Sequence, residues 1–252
     1  MCLILDIETI GIDFDSLDKT TQKSLSYWIE REAKSETEYQ ELLENLKQRL
    51  GFSPLTGEIV ALGVLDYYKN KGIVYFQTSG EKIGEFSKDN FTFKPATEPE
   101  MLQRFWEGAK KYNLFVTFNG RSFDIPFIMI RSAKYKIKPT KDLLSNRYLS
   151  NQKSDSKHID LLDQLSFYGV LKKRGNLHMW CKLFGIKSPK AEGITGEDIS
   201  LMFKNGQYKK IAEYNSWDLI ATKELYTCWK NYLSFEWKSY ASPGGIEPPS
   251  RA

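Results

Sequence analysis

Cysteine and histidine are scarce in this sequence. Three cysteines and two histidines occur among its 252 residues, and no two cysteines form a Cys-x-x-Cys pair. The odd number and wide spacing of Cys2, Cys181 and Cys228 argue against a disulfide framework and a zinc site, and they fit a reducing compartment. His158 has no partner at metal-ligand spacing, so we expect it to have a structural role.

Long apolar runs are also missing. The sequence contains no stretch of about 18 apolar residues and no cationic-then-apolar leader. With 41% hydrophobic and 27% charged residues, its composition is typical of a globular protein in water. We therefore expect a cytoplasmic protein that does not bind a membrane.

Charge is unevenly distributed, although the net charge is only +4. Residues 1–58 contain 12 acidic and 6 basic side chains, whereas residues 131–190 contain 14 basic and 4 acidic ones. Aromatic residues interleave with the basic ones in the second segment, which fits a polyanionic partner such as nucleic acid. A solvated, lysine-rich surface is the simpler interpretation, and charge alone favours it.

Residues 3–10 form an apolar run that carries two acids. Apolar residues on both faces predict a buried central strand, on which Asp6 and Glu8 point to the same side. Buried carboxylates are costly unless a cation meets them, and a divalent metal is the usual one. Such a pair also arises by chance in a chain with 32 acidic residues, so its meaning depends on partners elsewhere.

The apolar periodicity predicts an α/β protein with a mixed five-stranded sheet flanked by helices. The sheet is expected to open with an antiparallel meander and to continue through a crossover to a parallel strand. The predicted strands are residues 3–10, 58–68, 72–78, 114–118 and 158–162. The predicted helices are residues 36–50, 98–112, 123–134, 176–184, 196–204 and 208–232.

The chain is predicted to form one domain over residues 1–233, with a helical insert at residues 20–50. Residues 234–252 form a C-terminal extension. Its end is rich in proline and glycine and is predicted to be disordered.

Three further side chains lie where chemistry is commonly found. Asp124 follows a predicted strand at the start of the next helix, where open α/β sheets place their ligands. Alone, it is better explained as a first-turn acid favoured by the helix dipole. Tyr214 and Asp218 are four residues apart on the last helix and share a face. A surface hydrogen bond between them is the simpler alternative.

Taken together, these residues resemble the ordered motifs of DEDD-type 3′–5′ exonucleases, in the tyrosine-bearing subclass. The motifs are residues 5–9 (LDIET), residues 118–126 (FNGRSFDIP), which are the most specific, and Tyr214-x-x-x-Asp218. The sequence is most similar to the proofreading exonuclease domain of family-B DNA polymerases and to stand-alone bacterial proteins that resemble it. The resemblance covers residues 1–233 and implies a ribonuclease H-like fold.

The resemblance also implies a cofactor, namely two divalent metal ions, Mg²⁺ or Mn²⁺. Asp6 would bridge the two metals, Glu8 and Asp218 would hold the metal that activates water, and Asp124 would act through the other. Tyr214 would orient the attacking water. Four acids without a histidine or cysteine ligand suit such hard cations.

Three more residues are implied in substrate binding. Asn119 and Phe123 would shape the turn and the nucleotide pocket, and Thr9 would contact the terminal sugar. The expected substrate is the 3′ end of a single-stranded nucleic acid, with DNA favoured, gripped by the basic segment 131–190.

Several alternatives stay open. An RNA 3′-end trimming enzyme would use the same acids, because a 2′-hydroxyl is distinguished elsewhere in the pocket. A non-catalytic ribonuclease H-like module that binds nucleic acid would usually lack one or more of the acids. A structural or partner-binding protein is a third alternative, and a polymerase or repair complex is a candidate partner. The sequence does not predict the oligomeric state.

Overall fold

The computed structural model describes residues 1–189, 196 and 198–235. Its strands are β1 (Cys2–Gly11), β2 (Gly57–Asp66), β3 (Lys71–Phe76), β4 (Phe86–Lys88), β5 (Phe91–Pro95), β6 (Leu114–Thr117) and β7 (Lys157–Asp160). Its α-helices are α1 (Lys19–Glu32), α2 (Glu36–Arg49), α3 (Glu98–Ala109), α4 (Asp124–Lys134), α5 (Leu161–Leu165), α6 (Leu177–Leu183), α7 (Ile199–Lys204) and α8 (Tyr208–Tyr232). The extension predicted for residues 234–252 lies outside the described residues from position 236 onward.

The strands form one mixed sheet in the order β4-β5-β3-β2-β1-β6-β7. The central strand β1 pairs antiparallel with β2 and parallel with β6, and β7 continues parallel to β6. β3 completes the antiparallel meander beside β2. The predicted meander and crossover are therefore confirmed.

The sheet has two strands more than the five predicted. β4 and β5 form a short hairpin, and β5 then adds to β3 in parallel. The hairpin turn places Asp89 at a φ of 53°, a left-handed conformation that aspartate tolerates better than most residues. Because β4 has only three residues, its alternation is too short to predict a strand.

The helical insert consists of two helices where the sequence predicted one. Asp18 begins α1 by accepting hydrogen bonds from the backbone N–H groups of the first turn. Ser35 begins α2 by accepting the Glu38 N–H at 3.2 Å, while the Glu38 carboxylate accepts the N–H of Lys34 at 2.7 Å. The two helices pack on each other, and the 3₁₀ turn Leu50–Phe52 returns the chain to β1.

The strand periodicity of β1 divides the core into two layers. Leu3, Leu5 and Ile7 face the layer that contains α3 and α4. Ile4 faces the other layer, which contains α8. Asp6 and Glu8 continue the row of Ile4, so their carboxylates lie under α8. None of the helices in the described ranges is long and apolar enough to span a bilayer.

Candidate active site

The acids of β1 lie at the centre of the sheet. Asp6 is half-buried and Glu8 is buried, with 7% of its surface exposed. The pairing of β1 with β2 shifts register between Glu8 and Thr9, so a bulge interrupts the ladder directly after the second acid. Both carboxylates therefore point from a rigid central strand toward one face.

Helix α8 brings Tyr214 and Asp218 to that same face. It packs across β1, β2 and β3, and both side chains are buried, at 4% and 8% exposure. A side-chain hydrogen bond joins the Tyr214 hydroxyl to Asp218, and burial, followed by the charges of the acids, raises the tyrosine pKa. The alternative of a surface hydrogen bond is therefore wrong, because the pair lies beneath the surface and beside the acids of β1.

Asp124 reaches the site from the first turn of α4. Its carboxylate accepts the backbone N–H of Ile7, the residue between Asp6 and Glu8, at 3.1 Å. The N-cap of α4 is Phe123, so Asp124 is not the cap itself. Burial raises the pKa of Asp124 to about 7, because a poorly hydrated position disfavours the charged carboxylate.

The acidic side chains of the site lie close together. Ligand oxygens of Asp6, Glu8 and Asp218 lie within 4.8 Å of one another. Burial raises the pKa of both Asp6 and Glu8 well above their usual values, and repulsion from Asp218 and then Asp124 adds to the effect. Within the described ranges, no lysine or arginine forms a salt bridge with Asp6, Glu8 or Asp124.

This donor set fits divalent metal ions. Hard cations such as Mg²⁺ and Mn²⁺ bind carboxylate oxygens, and a bound cation removes the repulsion that raises these pKa values. The family expectation of a divalent metal therefore agrees with the arrangement of the side chains. Asp124 lies beside the three-residue group rather than within it, bound to the strand backbone.

Asn215 is a site residue that the sequence analysis missed. Its side-chain amide donates to Asp6 Oδ2 at 2.7 Å, and the residue is fully buried. Its amide oxygen is the one buried side-chain polar atom without a hydrogen-bond partner in the described part of the chain. A Cβ added at Gly63, opposite Asp6 on β2, would lie 2.0 Å from that oxygen. Gly63 therefore makes the space in which Asn215 orients Asp6.

The turn of the second motif is held by a further acid. Asp160, at the end of β7, accepts the backbone N–H groups of Asn119 at 3.0 Å and Arg121 at 2.9 Å. Asn119 adopts a φ of 63°, which asparagine tolerates in tight turns. His158 is buried in the same strand, where its ring contacts Thr117 Oγ1 at 2.8 Å and the Leu143 carbonyl at 3.0 Å. The structure thus places His158 in a packing role.

The other residues expected to bind substrate lie beside the helical insert. The Phe123 ring contacts Phe52, with centroids 6.4 Å apart, and Phe127, with centroids 5.6 Å apart. Thr9 uses its hydroxyl to donate to the carbonyl of Gly51 at 2.7 Å. Phe123 thus packs between the end of the insert and α4, and the Thr9 hydroxyl holds the insert against β1.

Comparisons with known proteins agree with this arrangement. A family described as predicted 3′–5′ exonucleases related to the exonuclease domain of PolB matches residues 71–238. DNA polymerase 1 of Sulfurisphaera ohwakuensis is 29% identical in an alignment 160 residues long, which covers 58% of this chain and 16% of the polymerase. The family B DNA polymerase of the hyperthermophilic archaeon Pyrobaculum calidifontis is similar in structure, with a TM-score of 0.53 and 14% identity, over 90% of this chain and 24% of that one.

These matches cover different parts of this chain and of the proteins it is similar to. The chain spans about a quarter or less of either polymerase, so the similarity concerns one domain of each. The structural match covers nearly the whole chain and confirms the ribonuclease H-like fold. The family match includes Asp124, Tyr214 and Asp218, while the acids of β1 precede it. The chain belongs to the family of predicted 3′–5′ exonucleases related to the exonuclease domain of PolB.

Proposed function

We propose that this chain is a metal-dependent 3′–5′ exonuclease that removes nucleotides from the 3′ end of single-stranded nucleic acid, with DNA as the favoured substrate. The observation that carries the proposal is the convergence of Asp6, Glu8 and Asp218. No lysine or arginine in the described part of the chain forms a salt bridge with the two acids of β1. The preference for DNA is supported by the relatives, which are DNA polymerases.

The residues that would hold the metal ions are Asp6, Glu8, Asp218 and Asp124. Two bound Mg²⁺ or Mn²⁺ ions would supply an activated water and would stabilise negative charge on the leaving oxygen. Asn215 fixes the carboxylate of Asp6 through its amide. The backbone of Ile7 fixes that of Asp124. The protein therefore orients its ligands before a metal arrives, which lowers the cost of binding.

Tyr214 is proposed to orient the attacking water, as in the tyrosine-bearing subclass. Its raised pKa keeps the hydroxyl protonated at neutral pH, so it can donate one hydrogen bond and accept another. Because it is hydrogen-bonded to Asp218, the hydroxyl is held beside the acids.

The terminal nucleotide is proposed to enter beside Phe123. The Phe123–Phe52 pair offers ring faces on which a base can stack without sequence preference. Asn119 shapes the turn that carries Phe123. A contact between the terminal sugar and Thr9 would use backbone groups, because the threonine hydroxyl donates to Gly51.

The experiment that tests this function uses 5′-labelled single-stranded DNA and RNA of one sequence, with Mg²⁺, Mn²⁺ or EDTA. We expect a metal-dependent ladder that shortens from the 3′ end, is faster on DNA, and is absent in Asp6→Ala and Asp124→Ala. Tyr214→Phe should retain a reduced rate, lowered by about 10- to 100-fold, because it loses one hydrogen bond rather than a metal ligand.

The same experiment separates the alternatives. A faster ladder on RNA would make RNA 3′-end trimming the function. No degradation with either metal, while binding of the strand persists, would identify a non-catalytic nucleic-acid-binding module. Neither degradation nor binding would favour the structural or partner-binding role.

A further inference from the structure

A polar cavity of about 320 Å³ lies beside the turn of the second motif. It is lined by Arg121, Ser122, Arg147, Asp163 and Arg174. Three guanidinium groups and one carboxylate give this lining a net positive charge, in contrast to the acids nearby. The cavity belongs to none of the roles assigned so far to the second motif.

Two of the three arginines are held in place by the protein. Arg121 donates to the carbonyl oxygens of Leu143 and Leu144, both at 3.3 Å. Arg147 forms a fork with Asp163, with Nε–Oδ2 at 2.9 Å and Nη2–Oδ1 at 2.5 Å. An arginine has five N–H donors, so each of these side chains has three more N–H groups beyond the two that donate in these contacts. Because these two side chains are already held in place, they lose little conformational entropy when a ligand binds.

The third arginine is exposed and lies in a basic run. Arg174 follows Lys172 and Lys173, and all three side chains are exposed. Its backbone carbonyl accepts the Trp180 indole N–H at 2.7 Å, which ties this run to α6. The run therefore adds positive charge at the rim of a cavity whose wall is already cationic.

We propose that Arg121, Arg147 and Arg174, which we call the arginine pocket, bind a backbone phosphate of the substrate strand upstream of the scissile bond. The proposal rests on the proposed function, because it assumes that the terminal phosphodiester lies at the acids. Guanidinium forks match the geometry of phosphate oxygens. Ser122, which lines the pocket, lies in the turn that leads into α4, two residues before Asp124. We therefore expect a strand whose 3′ end lies at the acids to run close to the pocket.

The positive charge of the pocket would also offset the repulsion between the acids of the site and the phosphates of the substrate. A cluster of acids repels a polyanion, and bound metals offset this only at the scissile phosphate. The next phosphates along the strand need their own cations. The arginine pocket supplies cations beside the turn that leads into Asp124.

The test moves one uncharged linkage along the strand. Single-stranded oligonucleotides carry one methylphosphonate, which removes the negative charge of one phosphate, at successive positions counted from the 3′ end. In the wild-type protein, one upstream position should slow removal of the terminal nucleotide by about 10-fold, since a charge-assisted contact is lost. Neighbouring positions should have a smaller effect.

Arg174→Gln is the main variant, because its side chain is exposed and its loss should not unfold the protein. It should slow the unmodified strand by a similar factor and become insensitive to the methylphosphonate at that position. Its rate should also fall less steeply with salt, by about one unit of log–log slope. Arg147→Lys, which keeps the charge but not the fork, should be intermediate.

Arg104→Gln is the matched control. It makes the same change in charge at an exposed position of α3, a helix that does not line the pocket. A dinucleotide, whose only phosphate is the scissile one, should be cleaved equally by wild type and Arg174→Gln. A 5′-terminal phosphate should change nothing. An effect that required it would assign the pocket to chain ends and overturn the proposal.

Fluorescence anisotropy in EDTA measures binding of the same oligonucleotides without cleavage, so it reports the contribution of the arginine pocket to binding alone. The proposal is overturned if Arg174→Gln behaves as Arg104→Gln does, or if it keeps the full methylphosphonate effect in rate and in binding. If the wild type cleaves neither strand nor dinucleotide but shows the position-dependent loss of binding, the proposed function fails and the phosphate contact stands.

Discussion

Glu8 and Glu98 are glutamates of similar burial, at 7% and 2% exposure, yet the protein treats them differently. Glu98 accepts two hydrogen bonds from buried Arg131, at 2.8 and 2.6 Å, and others from the Tyr135 hydroxyl and the Ile59 N–H. Glu8 instead lies where burial and the charges of Asp218 and Asp124 raise its pKa, and its side chain has a hydrogen bond with Asn215. The protein neutralises the buried Glu98 with an arginine. Among the described residues, no lysine or arginine forms a salt bridge with Glu8.

The largest expected effect is the loss of exonuclease activity when an acid of the site is replaced, which should not occur when Glu98 is replaced. Asp6→Asn keeps an oxygen to accept the Asn215 amide but removes a metal-binding charge. We expect exonuclease activity to fall at least about 10³-fold, because metal catalysis supplies several kcal/mol. The folded state should persist, since a repelled charge is removed. Gel assays and circular dichroism measure both. A variant that degrades DNA at the wild-type rate would contradict the assignment of Asp6.

The converse change should affect stability rather than catalysis. Glu98→Gln leaves Arg131, at 4% exposure, without its charged partner, which should cost about 3 kcal/mol or more in free energy of unfolding. Activity per folded molecule should not change. Urea unfolding measures the difference. Glu85→Gln is the control, because its pair with Lys94 is partly exposed and such pairs contribute less than about 1 kcal/mol. Equal losses in both variants would refute the contrast.

Metal binding should stabilise the site without involving Glu98. At a free Mg²⁺ or Mn²⁺ concentration of about 100 times Kd, binding to the folded state alone adds about 2.7 kcal/mol. We expect this gain in wild type and in Glu85→Gln, and its loss in Asp6→Asn. Thermal unfolding with metal and with EDTA measures it. The same gain in Asp6→Asn would place the metal elsewhere.

His158 is a buried titratable group of a third kind, because it stays neutral in the folded protein, whereas Glu98 is paired with an arginine and Glu8 lies beside other acids. Burial lowers the pKa of His158 from 6.5 to about 3. Above pH 6.5 both folded and unfolded states hold it neutral. As the pH falls below 6.5, only the unfolded state takes up the proton, so stability is lost. Between pH 7.5 and 5 wild type should lose about 2 kcal/mol more than His158→Gln. Parallel losses in urea unfolding would show that His158 carries no such penalty.

The sequence was most informative where one residue type implies one chemistry. Acids on a strand, in a turn and on a helix, in that order, predicted a shared site, and the structure brings Asp6, Glu8, Asp124 and Asp218 together. Asn215 escaped because an amide inside a helix has no distinctive pattern. Its meaning depends on Gly63, a residue far away in the sequence, and on the space that a missing side chain leaves there.

The fold shows the same limit. β1, β6, β7 and α4 were predictable because each is a buried apolar run or follows a turn signal. The sequence analysis missed the hairpin of β4 and β5. The hairpin depends on the pairing of β5 with β3, which is a tertiary contact, and the three residues of β4 are too few to predict a strand. Asp160 was recognised only as part of a strand-like run. Its carboxylate accepts two backbone N–H groups of another loop, and no local sequence pattern predicts such a tertiary contact.

The distance along the chain between β1 and α8 has a consequence for synthesis. Asp6 and Glu8 leave the ribosome before Asn215 and Asp218, which follow more than two hundred residues later. Chains fold as they emerge, and contacts of long sequence separation form late. A nascent chain can therefore pair β1, β2 and β3 while its acids remain without α8. The proposed metal site is completed only by α8, so a chain that has not been translated through Asp218 lacks one of its carboxylates and the Asn215 amide.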